Sequence, residues 1–492
     1  MSNQVKKMYI DGQWVESVSG ESFPVINPAN GEIIARVTKG TREDARLAIS
    51  AARRAFDESG WADTPARTRA ELLNKAADLI EQRADEFAEV DTRNNGKPLR
   101  ESAYDVQDAV NQLRYYAGLC TKPQGQTYDV PDEIQAFVVR EPIGVVGAIT
   151  CWNYPLVMNV QKVAPALAAG NTLVLKPADL TPLSTIMLFE CLEAAGFPAG
   201  VANLVTGPGH VVGDEISRHE WVDKVAFTGG TETGIAIMKN AADTVKKLSL
   251  ELGGKSPNIV FADADFETAV DYALFAIFAN QGEVCSAGSR LLLEAAIYDR
   301  FLVRLVDRAQ KIVVGDGFHP DTEMGPLISE AHMNRVLSYI QGGIEEGARL
   351  LCGGKRLLRD GLDKGYFVEP TIFEADSSDL RIVQEEIFGP VLVVQKFHTE
   401  AEAIRLANGT KYGLAGAVFT NDGAKAQRVI RKLRAGITWI NTYHPTFNEA
   451  PWGGYKQSGI GRELGTYGYE AYTEVKQINI NLQVKPSGWF RH

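Results

Sequence analysis

The stretch FANQGEVCSAGSRL, residues 278–291, sets one cysteine, Cys285, among glycine, serine and alanine. A structural cysteine usually sits among large apolar groups and behaves as a small hydrophobe. Gly282, Ser286, Ala287 and Gly288 give this sulfur little to pack against and leave room for another molecule to reach it. A free thiol titrates near about 8.5, so a nucleophilic role needs activation by its surroundings. Upstream, SLELGGKSP places Glu251 between Leu250 and Leu252, ahead of two glycines that permit close approach of another group. A partly desolvated carboxylate has a raised pKa and can act as a base near neutrality. The alternative is the polar face of a strand. Further upstream, ITCWNYPL carries Asn153 between Trp152 and Tyr154. A side-chain amide can donate to a developing oxyanion. Each of the three, taken alone, reads more readily as structural.

Two glycine-rich stretches add a second kind of chemistry. TGPGHVVG (206–213), with Gly209, and FTGGTETG (227–234), with Phe227, Thr228, Gly229, Gly230 and Gly234, each close a strand and enter a helix. Helix N-termini offer free N–H groups and a favourable dipole to phosphate. Neither stretch is the GxGxxG fingerprint or a Walker loop, and each alone is also a tight turn. Together in one α/β unit they point to a dinucleotide. Lys176 and Asp179, in KPADLTP, follow another strand. A carboxylate there can hold ribose hydroxyls and repel a 2′-phosphate, and it can equally cap a helix.

The elements that must position these residues follow from periodicity. TREDARLAISAARRAF begins with Thr41, an N-cap candidate, and places Leu47, Ala51 and Ala55 on one helix face. After residue 140 short apolar runs alternate with helical segments: 143–150, 171–177, 201–207 and 223–230. That pattern predicts a parallel sheet with right-handed crossovers. A second alternating region runs from about Ser256 to Asn441. The tail VKQININLQV (475–484) has the period of a half-buried strand outside both units. An edge strand needs cover, so it is expected to pair with another subunit or to dock within its own chain.

Composition bounds the function. The 492 residues allow two or three domains, and 45% hydrophobic with 23% charged residues is ordinary for a globular enzyme. The net charge of −11 gives no support for nucleic-acid binding. No apolar run is long enough to cross a bilayer, and MSNQVKKMYIDGQW has no signal core, so the expected location is cytoplasmic. Cys120, Cys151, Cys191, Cys285 and Cys352 lack paired spacing, which argues against disulfides and against a zinc site; no metal is expected.

From INPANGE (26–32) to PWGGYKQSGIGRELG (451–465) the chain resembles the NAD(P)-dependent aldehyde dehydrogenase superfamily. The marks are WNYP, KPADLTP, FTGGTETG, LELGGKSP, GEVCSAGSR, EEIFGPV and PWGGYKQSG, in that order. The resemblance implies a Rossmann-like cofactor domain, an α/β catalytic domain and a small β oligomerisation flap. The implied boundaries are 1–122 with 142–253, then 254–456, and a flap of 123–141 with 473–492. It implies that Cys285 attacks the aldehyde, that Asn153 and the Cys285 N–H hold the oxyanion, and that hydride leaves to a nicotinamide. Glu251 then activates the water that releases the acid, and Lys162 and Glu463 serve proton release. For the cofactor it implies Trp152, Lys176, Asp179, Gly209, Phe227, Thr228, Gly230 and Leu252, with Gly229 and Gly234 at the turn near the pyrophosphate. Glu386 should hold the nicotinamide ribose, with Phe388 beside it. Aspartate at 179 favours NAD over NADP.

Within the superfamily the resemblance is nearest to betaine aldehyde and aminoaldehyde dehydrogenases, whose substrates carry a cation. It implies aromatic faces at Tyr154 and Trp452, acidic positions at the tunnel mouth at Asp105 and Asp108, and Ile437 near the tunnel. Gln161 and Ala279 stand where such relatives often carry further aromatics. A broader aliphatic, aromatic or apocarotenoid aldehyde dehydrogenase is therefore the alternative. A cysteine hydrolase or acyltransferase, or a catalytically silent oligomeric binding protein, is the alternative of another class. The implied partners are a small aldehyde and copies of the same chain, as a homodimer or homotetramer.

Overall fold

The computed structural model describes residues 5–122, 125–131 and 133–490. Residues 123, 124 and 132 of the expected flap, and the two ends of the chain, lie outside the described residues. The predicted strands form β1 (Val145–Ile149), β2 (Thr172–Lys176), β3 (Ala202–Leu204) and β4 (Lys224–Thr228), joined by β5 (Lys247–Glu251). All pair in parallel, in the order β3-β2-β1-β4-β5. This is the half-order of a dinucleotide-binding sheet, with its switch point between β1 and β4. Antiparallel segments extend it to eight strands: Met8–Ile10 and Gln13–Val15 at one edge, Gly459–Ile460 at the other.

The sheet is buried on both faces, which its continuous apolar runs require. Val145, Ile149, Val174 and Val225 pack with the helix Arg42–Asp57. Val146, Ala148, Leu173 and Ala226 pack on the other face with Leu156 and Val160. Thr41 caps Arg42–Asp57 through a capping box with Asp44. Its buried stripe differs from the expected one. Leu47 is exposed, and the inner face is Ala45, Ala48, Ile49, Ala51, Ala52 and Ala55. The helix lies close against β2, where Thr172 Oγ1 donates to the Ala52 carbonyl at 3.0 Å, so the alanine face turns inward.

The second region forms β6 (Pro257–Val260), β7 (Arg290–Glu294), β8 (Thr371–Glu374), β9 (Val391–Phe397), β10 (Ala415–Phe419) and β11 (Ile437–Ile440). These are parallel, in the order β8-β9-β7-β6-β10-β11, and Arg349–Cys352 pairs antiparallel beside β8. The alternating tail, Thr473–Asn481, pairs antiparallel with Ile134–Pro142 of its own chain, which also carries Gln126–Tyr128. Among the described residues no helix is long and apolar enough to cross a membrane.

Candidate active site

The site lies beyond the carboxyl ends of β1, β4 and β5. The loop after β1 supplies Cys151, Trp152 and Asn153, β4 ends on Thr228, and β5 ends on Glu251. From the second unit come the segments that enter β7 and β9, carrying Cys285 and Glu386. One cavity of about 1180 Å³ joins them. Cys285, Glu251, Asn153, Glu463, Trp152, Thr228, Gly229, Gly230, Leu252, Glu386, Phe388, Tyr154, Gln161, Trp452, Asp105 and Asp108 all line it.

The cysteine loop is held by backbone that only small or special residues tolerate. Asn280 and Gln281 take φ of 46° and 56°, and Gly282 follows at 73°. A Cβ at Gly282 would strike the Gly389 carbonyl, and one at Gly254 would strike the carbonyl of Cys285 itself. The second glycine of LELGGKSP therefore serves close approach to the cysteine segment. Burial pushes the Cys285 thiol well up, helped by Cys151, Glu386 and Glu251, while the Ser286 N–H works the other way. The resting thiol is thus protonated. The Cys285 N–H donates to no protein acceptor among the described residues.

Asn153 is buried in the same pocket, and its Nδ2 donates to the Glu283 carbonyl at 2.8 Å. Glu251 is fixed on both sides, by Thr228 of β4 and by Gly459. Its Oε1 would stand 2.8 Å from a Cβ at Gly453, which explains that glycine of PWGGYKQSG. Its Oε2 is buried without a partner among the described residues. Burial holds this carboxyl well above the usual range, with the charge of Glu463 adding to it and Lys162 and Arg462 opposing. Lys162 stands behind the cavity wall, its Nζ 2.7 Å from Glu463 Oε1, both side chains buried. Glu463 and Trp452 bond each other's backbone reciprocally at 2.7 Å.

In the same cavity Glu386 accepts the Gly254 N–H at 3.0 Å, and burial pushes its carboxyl up to about 7. Phe388 stands edge-on to Trp152 at 5.2 Å. Among the described residues Thr228 Oγ1 is buried and unpartnered, and the helix Thr231–Ala242 starts after Gly230 with no side-chain cap. Open space surrounds Gly230. Lys176 Nζ meets Asp179 at 3.2 Å, and its stem crosses Gly209 and Gly213. These residues lie outside the main cavity, at the end of β2. Two expectations need correction here. Gly234 is one turn inside its helix, where a Cβ would strike Leu252, so it serves helix–strand packing rather than the turn. Phe227 likewise packs beneath Gly229.

One substrate expectation also needs correction. Asp105 is no entrance carboxylate: it is buried, 2.7 Å from the equally buried Lys97. Ile437, at the start of the outer strand β11, is half-buried against the same hydrophobic cluster as the cavity residues Tyr154 and Trp452 and is not itself among the residues that line the cavity. Asp108 does face the cavity, accepting from Gln112 at 2.9 Å, with no cation in contact among the described residues. Sequence reasoning missed Lys97, Glu101, Cys151, Asn280 and the aromatic lining Phe275, Tyr443 and His444. Cys151 adjoins Trp152 and was open to notice. The others come close only through the fold.

The aldehyde dehydrogenase family model matches residues 14–478. The betaine aldehyde dehydrogenase of Bacillus subtilis (strain 168) is 54% identical over 484 residues, spanning 98% of this chain and 99% of that one. The chain belongs to the aldehyde dehydrogenase family. Retinal dehydrogenase 2 of Gallus gallus is 46% identical over 484 residues, spanning 98% of this chain and 93% of that one. The betaine aldehyde dehydrogenase of Staphylococcus aureus, solved in complex with NAD+, matches with a TM-score of 0.98 at 51% identity, covering 99% of this chain and 97% of that one. The family fold and the expected class, an NAD-dependent aldehyde dehydrogenase, are borne out. This chain's own residues fit a dinucleotide. The orphaned Thr228 hydroxyl, the uncapped helix at Gly230 and the Lys176–Asp179 pair lie at strand ends around the switch point.

Proposed function

We propose that this aldehyde dehydrogenase oxidises betaine aldehyde or a related aminoaldehyde to its acid, with NAD. One observation carries the reading: a single cavity contains the thiol of Cys285, the amide of Asn153, the carboxyl of Glu251 and the carboxyl of Glu386. A base in the cavity takes the proton of the Cys285 thiol as the sulfur attacks the aldehyde carbon. The alkoxide oxygen is held by the Asn153 amide and the Cys285 N–H; one such donor is worth roughly 3–4 kcal/mol. NAD, when bound, supplies the acceptor for the substrate's hydride. Glu251 takes a proton from water as the water attacks the Cys285 thioester. Lys162 and Glu463, directly behind Glu251, pass that proton on. The acid leaves and the thiolate returns.

For a cationic head, Tyr154 and Trp452 offer aromatic faces and Asp108 a carboxylate. A broader aldehyde specificity is the second reading, favoured by Gln161 and Ala279 in the cavity wall. The test is kcat/KM for betaine aldehyde, an aminoaldehyde, retinal and linear neutral aldehydes, each with NAD and NADP. Betaine aldehyde or the aminoaldehyde should lead with NAD; preference for retinal or linear aldehydes would install the second reading.

The proposed division is 1–122 with 142–253, then 254–456, with 123–141 and 473–492 as a flap. The strands of each main sheet fall in these ranges, apart from Gly459–Ile460, which closes the first sheet. The tail leaves Val475, Ile480, Leu482, Val484, Trp489 and Phe490 exposed, which supports a homodimer or homotetramer built on it. The free cysteines suit the reducing cytoplasm.

A further inference from the structure

Both ends of the Asn153 amide are engaged. Nδ2 donates to the Glu283 carbonyl at 2.8 Å, and Oδ1 accepts from the Cys151 thiol at 2.9 Å. Asn280 Nδ2 fixes the backbone on either side, donating to the carbonyls of Asn153 at 3.0 Å and Glu283 at 3.3 Å. A flipped amide would set its oxygen against the Glu283 carbonyl and its N–H groups against the S–H. Both partners would be lost in a buried place, where unpaired polar atoms are costly. In the observed orientation Glu283 takes one Nδ2 proton, and the other meets no acceptor among the described residues. Among the described residues no second donor meets Asn153 Oδ1.

We propose that Cys151 is a positioning residue for the oxyanion site: its thiol holds the Asn153 amide so that one N–H faces the carbonyl oxygen of an aldehyde at Cys285. The inference rests on the reading of Asn153 as oxyanion donor. Cys151 lines the same cavity. Burial pushes its thiol up to about 11, so it remains an S–H donor at neutral pH. Serine can donate from the same position. Alanine and valine cannot, and valine still fills the space.

The test measures kcat, KM and NAD affinity for Cys151→Ala, Cys151→Val, Cys151→Ser and Asn153→Ala, using the best aldehyde of the wild-type panel. Asn153→Ala should lose kcat by about 100-fold or more, the usual effect of removing one oxyanion donor. Cys151→Ala and Cys151→Val should lose kcat by about tenfold, with KM and NAD affinity unchanged, since the donor remains but its aim is relaxed. Cys151→Ser should recover most of that loss. Wild-type kcat in both Ala and Val variants beside an inactive Asn153→Ala would overturn the inference alone. So would a loss shared by the Ser variant, or one restored by Val, since either marks packing. Wild-type activity in Asn153→Ala would remove the oxyanion reading and the inference with it.

Discussion

The Nζ of Lys97 stands 3.9 Å from the centroid of the Tyr154 ring and 2.7 Å from Asp105 Oδ2. One face of the aromatic expected to greet a cationic substrate is thus already occupied by a cation. The carboxylate expected to draw that substrate in is spent on the same lysine. Removing one partner of a buried ion pair leaves an uncompensated charge and costs about 3–5 kcal/mol. Asp105→Asn should therefore lower stability by an amount of that order in urea unfolding. Unchanged stability with a raised KM for cationic aldehydes alone would return Asp105 to the tunnel mouth.

Gln161 is buried in the cavity wall and supplies a dipole where another aromatic face would strengthen cation binding. Gln161→Trp should lower KM for betaine aldehyde by up to about tenfold, the worth of one good cation–π contact. A neutral aldehyde of the same length should gain little. If both substrates lose activity alike, residue 161 governs tunnel width, and the broad-aldehyde reading displaces the betaine aldehyde one.

The chemistry was legible in the sequence where one residue's requirement shows in its neighbours. Gly254 closes on the carbonyl of Cys285, Gly282 within the cysteine loop closes on the carbonyl of Gly389, and both glycines stand in the motifs themselves. Glu251 ends β5 just before the Gly253–Gly254 pair of its own motif. Lys97, Asp105 and Tyr154 meet only because the helix Leu99–Leu119 turns Asp105 inward, and neither charge nor i, i+3 spacing tells an inward aspartate from a solvated one. Leu47 failed for a similar reason. Hydrophobicity ranked leucine above alanine, while close packing on β2 selected the smaller residue.

On the proposed function, Asp179 carries the cofactor choice. Its carboxylate, beside Lys176, suits two ribose hydroxyls and opposes a 2′-phosphate. Asp179→Ser should raise relative use of NADP, read as the ratio of kcat/KM for the two cofactors. A wild type that already prefers NADP removes this role from Asp179.

The pH profile of thioester release should report Glu251. The base works only when ionised, and burial and Glu463 raise its pKa above the ordinary carboxylate value. The rate should fall as pH drops through that raised value. Glu463→Gln deletes a like charge and leaves Lys162 unopposed, so Glu251 should ionise more readily and the acid limb should move to lower pH. An unmoved limb, or one moved to higher pH, would show that Glu251 does not set it.

The intermediate itself gives the sharpest test. Glu251→Gln should accumulate acyl-enzyme after one turnover, because it removes the base for hydrolysis and leaves the thiol in place. Rapid mixing with aldehyde and NAD, followed by acid quench and mass spectrometry, should show a burst of NADH and a matching acyl adduct on the Cys285 peptide. Cys285→Ala should show neither while still binding NAD. A full NADH burst with no adduct on Cys285, or an adduct on Cys151 in its place, would contradict the mechanism.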